Sequence, residues 1–536
     1  MFKCKQLLRR ICVVSYVFLL CGGLVNASNL VSKTNTLIGT QGNGWASGYL
    51  YPGATYPFGM VQFTPTYFTK QLGFVINQLS GAGCDHMGNF PTLPIAGALR
   101  VSPDSILNMQ TPVGKEIGTA GYYAATVDHS IRAELTVTER TGMARYTFSS
   151  KEKQGTVIIG GGVAATPIQV AAIKITGPHS CEGYAEGGAF CGIPTPYKVY
   201  FVAEFDADAE SFGTWKEERL HANHTFAEGS HSGVYFTFPL KEGNQAVQYK
   251  IGVSYVSVEN ARENLRVENP AWDFSAVRQA TQDKWNEYLG KIEVEGDNED
   301  RQMQFYTHLY RSLIHPNVCS DVNGEYMGAD SQVHKTARKF YTSFSNWDTY
   351  RTQTALIAML APEETSDIVM SHYLFAEQSG GGFPRWVLAN IETGVMQGDP
   401  TPILVANAYA FGARTYDPRT LLRTMRYGAE VPGANSQGVL TRPGLEQYLE
   451  KGYYDASILL EYTSSDFAIG RFALQACNDE PVCNWYTQRA MNWKNLFNKE
   501  TGWLQSRNED GSWKRYDADW RESTYKNYFW MVPYDR

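Results

Sequence analysis

The sequence predicts a two-part fold: an N-terminal all-β sandwich, then a helical half joined to it by a linking helix. Three observations predict it. From about Asn29 to Glu259, short runs alternate apolar and polar residues between Gly, Pro and Asn, the period of half-buried strands. After "NPAW" the period lengthens to that of amphipathic helices. At 536 residues the chain also exceeds one ordinary domain, so at least two cores are expected.

The first element is an export signal. "MFKCKQLLRRIC" carries Lys3, Lys5, Arg9 and Arg10, "VVSYVFLLCGGLV" is too short to span a bilayer comfortably, and "VNA" ends on the small Ala27. Residues 1–27 are set aside on that basis, which implies a secreted or periplasmic protein. An N-terminal anchor is the alternative, and lipidation at Cys21 is disfavoured by Leu20 before it. No later segment is a membrane-span candidate.

The sandwich occupies 28–260. "SGVYFTFPLK" and "YKIGVSYVSV" alternate as strands with one buried face should, and no long helical pattern interrupts them. A helical linker follows at 261–290, where Trp272, Phe274, Val277, Ala280, Trp285 and Leu289 recur at helical spacing. Residues 291–536 carry about eight or nine helical patterns, for which antiparallel hairpins are the simplest packing. Pro362 begins one of them, with Glu363 and Glu364 in its first turn.

Composition narrows the function. Hydrophobic residues are 43% and charged residues 19%, as in globular proteins. Aromatics reach 13%, with 33 Tyr and 12 Trp, and flat aromatic faces suit the C–H faces of sugars as well as protein cores. A net charge of −7 with no long basic stretch argues against nucleic acid. Beyond the signal, six cysteines remain; Cys181/Cys191 and Cys477/Cys483 bracket short loops suited to disulfides, and none has paired zinc-site spacing.

Few residues stand out as chemistry. In "SFSNWDTYRTQ", helical spacing sets Asp348 and Arg351 on one face beside Trp347, a grouping that grips vicinal sugar hydroxyls or else forms an ordinary intrahelical ion pair. "GGGFPRWVLANIETGVMQGDP" reads as a glycine-rich loop that approaches a ligand or simply joins helices, and it carries Glu392. "GNGWASGYLYPGATYPFG" offers Trp45, Tyr49 and Tyr51 as a loop platform. In "WRESTYKNYFW" Glu522 lies among Trp520, Tyr525, Tyr528 and Trp530. Aromatic neighbours that exclude water keep such a carboxyl protonated for general-acid work, whereas a first helical turn has the opposite effect. No Ser/His/Asp order, HExxH, P-loop or Rossmann glycine pattern is present.

These stretches, in this order, resemble glycoside hydrolase family 92, the calcium-dependent exo-acting α-mannosidases. "YPGATYPFGMVQFTP", "GFVINQLSGAGCDHMGNFPTLPIAG", "VRQATQDKWNEYLGKIEVEG", "DVNGEYMGAD", "SFSNWDTYR", "NIETGVMQGDP" and "NWKNLFNKETGWLQSRNEDGSW" are similar to successive family blocks, from about residue 37 onward. The resemblance implies a β-sandwich, a helical linker and an α/α toroid, the toroid being incomplete here. It implies Glu522 as the general acid, from the frame Glu522, Tyr528, Trp530, Val532, Pro533 and Asp535. It further implies an inverting mechanism, a calcium ion with unassigned ligands, and removal of terminal α-linked mannose (α-1,2 expected) from a glycan or glycoprotein. Trp45 would reach the pocket from the sandwich side. The chain departs from the family wording at "STYKN" and at Tyr534, which bears on the leaving-group subsite. The family's base aspartates lie beyond "VP.D", so the base is expected to be absent from this chain and its activity alone weak. Two alternatives are a non-catalytic carbohydrate-binding remnant and a phosphorylase-like toroid enzyme.

Overall fold

The computed structural model describes residues 29–40, 49–65, 73–103, 113–128, 130–242 and 245–535. The export signal and Trp45 lie outside the described residues. No helix among those described is long and apolar enough to cross a membrane.

The N-terminal half is two antiparallel sheets, of eight and nine strands. In the larger, Ser180–Phe190 pairs with Ile193–Phe205 and with Ile168–Gly177, while Ala246–Ser254 bridges to Thr141–Thr147. Ser180–Phe190 alternates buried and half-buried residues along most of its length, as a strand with one face on the core requires. Ser232–Pro239, expected to be half-buried, is buried at every position but the last. It lies inside the smaller sheet between Gln154–Ile159 and Ser211–Lys216, and Thr237 shares a 2.9 Å hydrogen bond with Thr156 beside it. Phe63, Phe201, Trp215, Phe236 and Tyr249 fill the core between the sheets.

The linking segment is two helices. Val258–Glu268 ends at Asn269, because Pro270 disfavours a helical residue before it, and Phe274–Leu289 resumes with Asp273 as N-cap to Ala276 N–H. Trp285 is fully buried and its indole N–H donates to Thr55 O at 2.7 Å, so the second helix locks onto the sandwich.

Beyond it stand eight helices of seven residues or more, with two single-turn pieces. Pro362–Gln378 begins at Pro362 with Glu363 and Glu364 in the first turn, as the sequence indicates. The longest, Ala456–Cys477, is buried at most positions of its first four turns and packs against Thr401–Ala410, Pro418–Glu430 and Glu480–Ala490. The β-sandwich followed by the helical toroid domain is therefore the observed architecture.

The cysteine pairing differs from the expectation. Cys84 is bonded to Cys191, while Cys181, Cys319, Cys477 and Cys483 are free. Cys181 and Cys191 stand at opposite ends of one extended strand, on the order of 30 Å apart at about 3.3 Å per residue.

Candidate active site

A cleft of about 710 Å³ opens on the helical half, lined by Gln397, Asp455, Ser457, Ile458, Asp519, Trp520, Arg521 and Glu522. Three segments build it: the loop before Thr401–Ala410, the first turn of Ala456–Cys477, and the run leading into the short helix Tyr525–Tyr528. Gly398 makes the first approach possible. Its φ is +77°, and a Cβ there would stand 2.5 Å from the Cβ of Glu461 on the long helix.

A chain of hydrogen bonds forms the floor. Ser457 Oγ donates to Gln397 Oε1 at 3.0 Å, Gln397 Nε2 donates to the Tyr528 hydroxyl at 3.0 Å, and that hydroxyl donates to Arg521 O at 2.9 Å. Burial pushes the Tyr528 phenol up to about 12, with the Glu461 charge adding to it, so the phenol stays a donor. Arg521 immediately precedes Glu522, and the buried chain thereby fixes the backbone that carries the glutamate.

Glu522 is exposed at the cleft wall with φ +55°, before the short helix and outside its first turn. The expected aromatic enclosure is not formed. Trp520 stacks toward Tyr528 at 5.4 Å, Tyr525 turns to Trp503, and Trp530 is 65% exposed. A carboxyl so placed can exchange a proton with a ligand oxygen once the ligand itself displaces water.

The two aspartates of the cleft are already engaged. Lys514 Nζ lies 2.7 Å from Asp519 and 3.2 Å from Asp455, and Ser506 also donates to Asp519. Desolvation would raise the Asp519 carboxyl, but Lys514 and Ser506 outweigh it and hold it below the usual range. That makes it a poor proton acceptor.

One turn along the helix from Ser457 lies a second cluster, around Glu461. Its side chain has no exposed surface, and its carboxylate accepts from Trp347 Nε1 at 2.9 Å and Tyr350 Oη at 3.1 Å, with Arg351 at 3.4 Å. Burial raises its carboxyl, opposed by the Arg351 charge and these donors. Arg351 lies over the rings of Trp347 and Tyr350, 4.7 and 4.8 Å from their centroids. Trp347 and Arg351 are thus brought together as expected, but around Glu461. Asp348 turns away to Ser345, whose hydroxyl donates to it, and desolvation raises its carboxyl.

Two other expectations are corrected. Glu392 is buried, and its carboxylate accepts the backbone N–H groups of Arg385, Trp386 and Gly394 at 2.6, 3.2 and 2.9 Å. It braces the hairpin Trp386–Leu388/Ile391–Glu392 and keeps only 6% of its surface exposed, with its oxygens spent on backbone donors. The glycines before it serve packing: a Cβ on Gly382 would meet Thr441 Oγ1 at 2.2 Å. Tyr51 is 1% exposed in the core between linker and helices, so it is no platform residue. Tyr534 is also structural, stacked on Phe467 at 4.6 Å.

The sequence model of the glycosyl hydrolase family 92 catalytic domain matches residues 260–536, and that of the family 92 N-terminal domain matches residues 34–254. The chain belongs to glycosyl hydrolase family 92. Two family 92 enzymes from Bacteroides thetaiotaomicron share the architecture. An α-mannosidase, 24% identical, superposes with TM-score 0.85 over 94% of this chain and 71% of its own. An inverting mannosidase, 25% identical, gives TM-score 0.84 over the same shares. An uncharacterized secreted glycosidase of Arthroderma benhamiae is 25% identical over 91% of this chain, which spans 66% of that relative's length.

Glu461 and the Gln397–Tyr528 chain were not found by sequence reasoning in this family 92 chain. The signal available was Glu461 itself, a carboxylate inside the apolar run "SILLEY", a setting in which a charged residue needs a partner.

Proposed function

We propose that this family 92 chain acts outside the cytoplasm, secreted or periplasmic, and removes terminal α-1,2-linked mannose from a glycan or glycoprotein by an inverting mechanism. The observation that carries the reading is Glu522, which stands on the wall of an open cleft at the position where the family frame puts its acid. In an inverting reaction Glu522 protonates the departing glycosidic oxygen while a second carboxylate, roughly 6.5–9.5 Å away, activates water on the opposite face. Tyr528 holds the Glu522 backbone through Arg521. Arg351, held over Trp347 and against Glu461, lines a second cleft with Tyr350, Trp530 and Met531, where its guanidinium offers a cation for sugar hydroxyls.

The carboxylates lining the cleft do not supply the base, since Asp455 and Asp519 share Lys514. Nor do they fit calcium: a hard cation needs several free oxygen ligands, and an ammonium already occupies this pair. Among the described residues no group of three or more His, Cys, Asp or Glu could hold a metal ion. Calcium dependence is part of the proposal only through ligands other than these.

Hydrolysis of α-1,2-mannobiose, followed by NMR of the first-formed anomer, tests the reading. With no base among the cleft carboxylates, turnover is expected to be slow, with the β-anomer released first, falling further in Glu522→Gln and lost on chelation until calcium is restored. Equal turnover in Glu522→Gln, or first release of the α-anomer, would refute it. The engaged aspartates favour one second reading, a carbohydrate-binding role. Mannobiose binding without mannose release, with calcium present, would identify that.

A further inference from the structure

We infer that the aromatic surface beside the Glu522 cleft is an aglycone platform, on which the rest of an oligosaccharide lies while its terminal sugar occupies the cleft. The inference rests on the glycosidase reading of that cleft and adds a preference for long substrates.

Three rings make the platform. Tyr525 lies between Tyr516 and Trp503, at centroid distances of 5.5 and 5.2 Å and interplanar angles of 78° and 88°. Phe529 extends it, 5.5 Å from Trp503. These edge-to-face contacts hold the rings in place, and the outer two keep much of their surface. Tyr516 is 59% and Trp503 38% exposed. Neither belongs to the buried cluster beneath, which is built from residues such as Leu445, Leu460, Leu504 and Tyr528. Phe529 packs on that cluster, whereas Tyr516 and Trp503 stand outside it, joined through Tyr525, and exposed large aromatics grouped in this way mark an interaction site.

Position and chemistry select the occupant. The Trp520 indole N–H, on the cleft wall, donates to Tyr516 O at 2.8 Å, and Tyr525 follows Glu522 by three residues, so the platform adjoins the cleft through its Trp520 wall. Exposed hydrogen-bonding residues, Lys526 and Asn527, follow Tyr525 directly, and the Lys526 ammonium stands 5.9 Å from the Tyr525 ring centroid. Aromatic faces edged by amide and ammonium groups suit sugar rings, which present C–H faces and hydroxyl rims, better than they suit an apolar protein surface.

The test is calorimetric binding of methyl α-mannoside, which fills only the cleft, and of α-mannotetraose to the full chain. The expected result is tighter binding of the tetrasaccharide, weakened about three- to tenfold by Tyr516→Ala or Trp503→Ala with methyl α-mannoside unchanged. Tyr516→Phe should restore it. If Trp503→Ala is poorly folded, Tyr516→Ala, at a more exposed ring, still decides. Unchanged tetrasaccharide binding in Tyr516→Ala overturns the inference, as does failure of the wild type to bind any oligosaccharide. Platform-dependent binding of a different oligosaccharide, without mannoside turnover, would support the platform and reject the mannosidase reading. Loss of turnover in Glu522→Gln with an inert platform would do the reverse.

Discussion

Glu461 shows how one residue organises a site that sequence spacing only half reveals. Trp347 and Arg351 are four apart and legible as a pair, but the carboxylate they share lies 114 positions after Trp347, beyond any local pattern. Asp348, the nearer carboxylate, was the obvious partner on spacing. The structure gives it Ser345 instead, because the single turn Asn346–Thr349 stops before the face is complete. Glu461→Ala would strand a buried phenol and a part-buried indole N–H, at about 1–3 kcal/mol for an orphaned donor with the indole at the low end. Arg351 is more than a third exposed, so solvent screens its part and adds little. We expect urea denaturation to show about 2–4 kcal/mol lost in Glu461→Ala, and clearly less in Glu461→Gln, which keeps an acceptor for Trp347. Equal losses in the two variants would mean that the charge, rather than the acceptor, holds the cluster.

At the scale of elements, the switch from period two to helical period was legible because each half repeats its pattern many times. Pairing between distant elements was not. The disulfide illustrates the difference: Cys181 and Cys191 look close in sequence, yet an extended strand separates them, and Cys84 reaches Cys191 from 107 residues away. Closing a loop of that length restricts the unfolded chain strongly, so Cys84→Ala should destabilise the sandwich by about 2–4 kcal/mol. Alanine at the free Cys483 should not change any disulfide-linked peptide. Non-reducing peptide mapping checks the pairing directly: a linked pair containing Cys181 and Cys191 would contradict the structure. The linker shows a smaller miss of the same kind. The sequence predicts a single linking helix over 261–290, but Pro270 ends one helix at Asn269, and the apolar spacing from Trp272 to Leu289 belongs to the second alone.

Across the whole molecule, the two halves meet through aromatic and polar contacts that no local pattern announces. Phe190 of the sandwich stacks on Trp386 of the helical half at 4.1 Å, Lys339 pairs with Glu139, and Arg140 donates to Ser320 O at 2.7 Å. Two histidines stand at this junction, His86 buried and His315 half-buried. His315 Nε2 accepts the Ser80 N–H at 3.0 Å while Nδ1 faces Asn317 Oδ1, and His86 Nε2 accepts the Leu79 N–H while Nδ1 faces Cys84 O. Each ring must therefore be neutral, with its proton on Nδ1; a second proton would point at a backbone donor. Desolvation accordingly lowers both from 6.5 to about 4. The unfolded chain then binds the extra protons first as pH falls, so stability present above pH 6.5 is lost progressively down to about pH 4. For one histidine this amounts to about 2 kcal/mol between pH 7 and pH 5. The buried carboxyls of Glu392, Glu461 and Asp321 are raised by burial and act in the opposite sense, so the net slope of the wild type is not the diagnostic quantity. The diagnostic is a comparison. Gln at 315 can accept from Ser80 and donate to Asn317 without titrating, so His315→Gln should lose less thermal stability than wild type on going from pH 7 to pH 5. Identical pH dependence of the melting midpoint in the two proteins would show that His315 does not stay neutral at the junction.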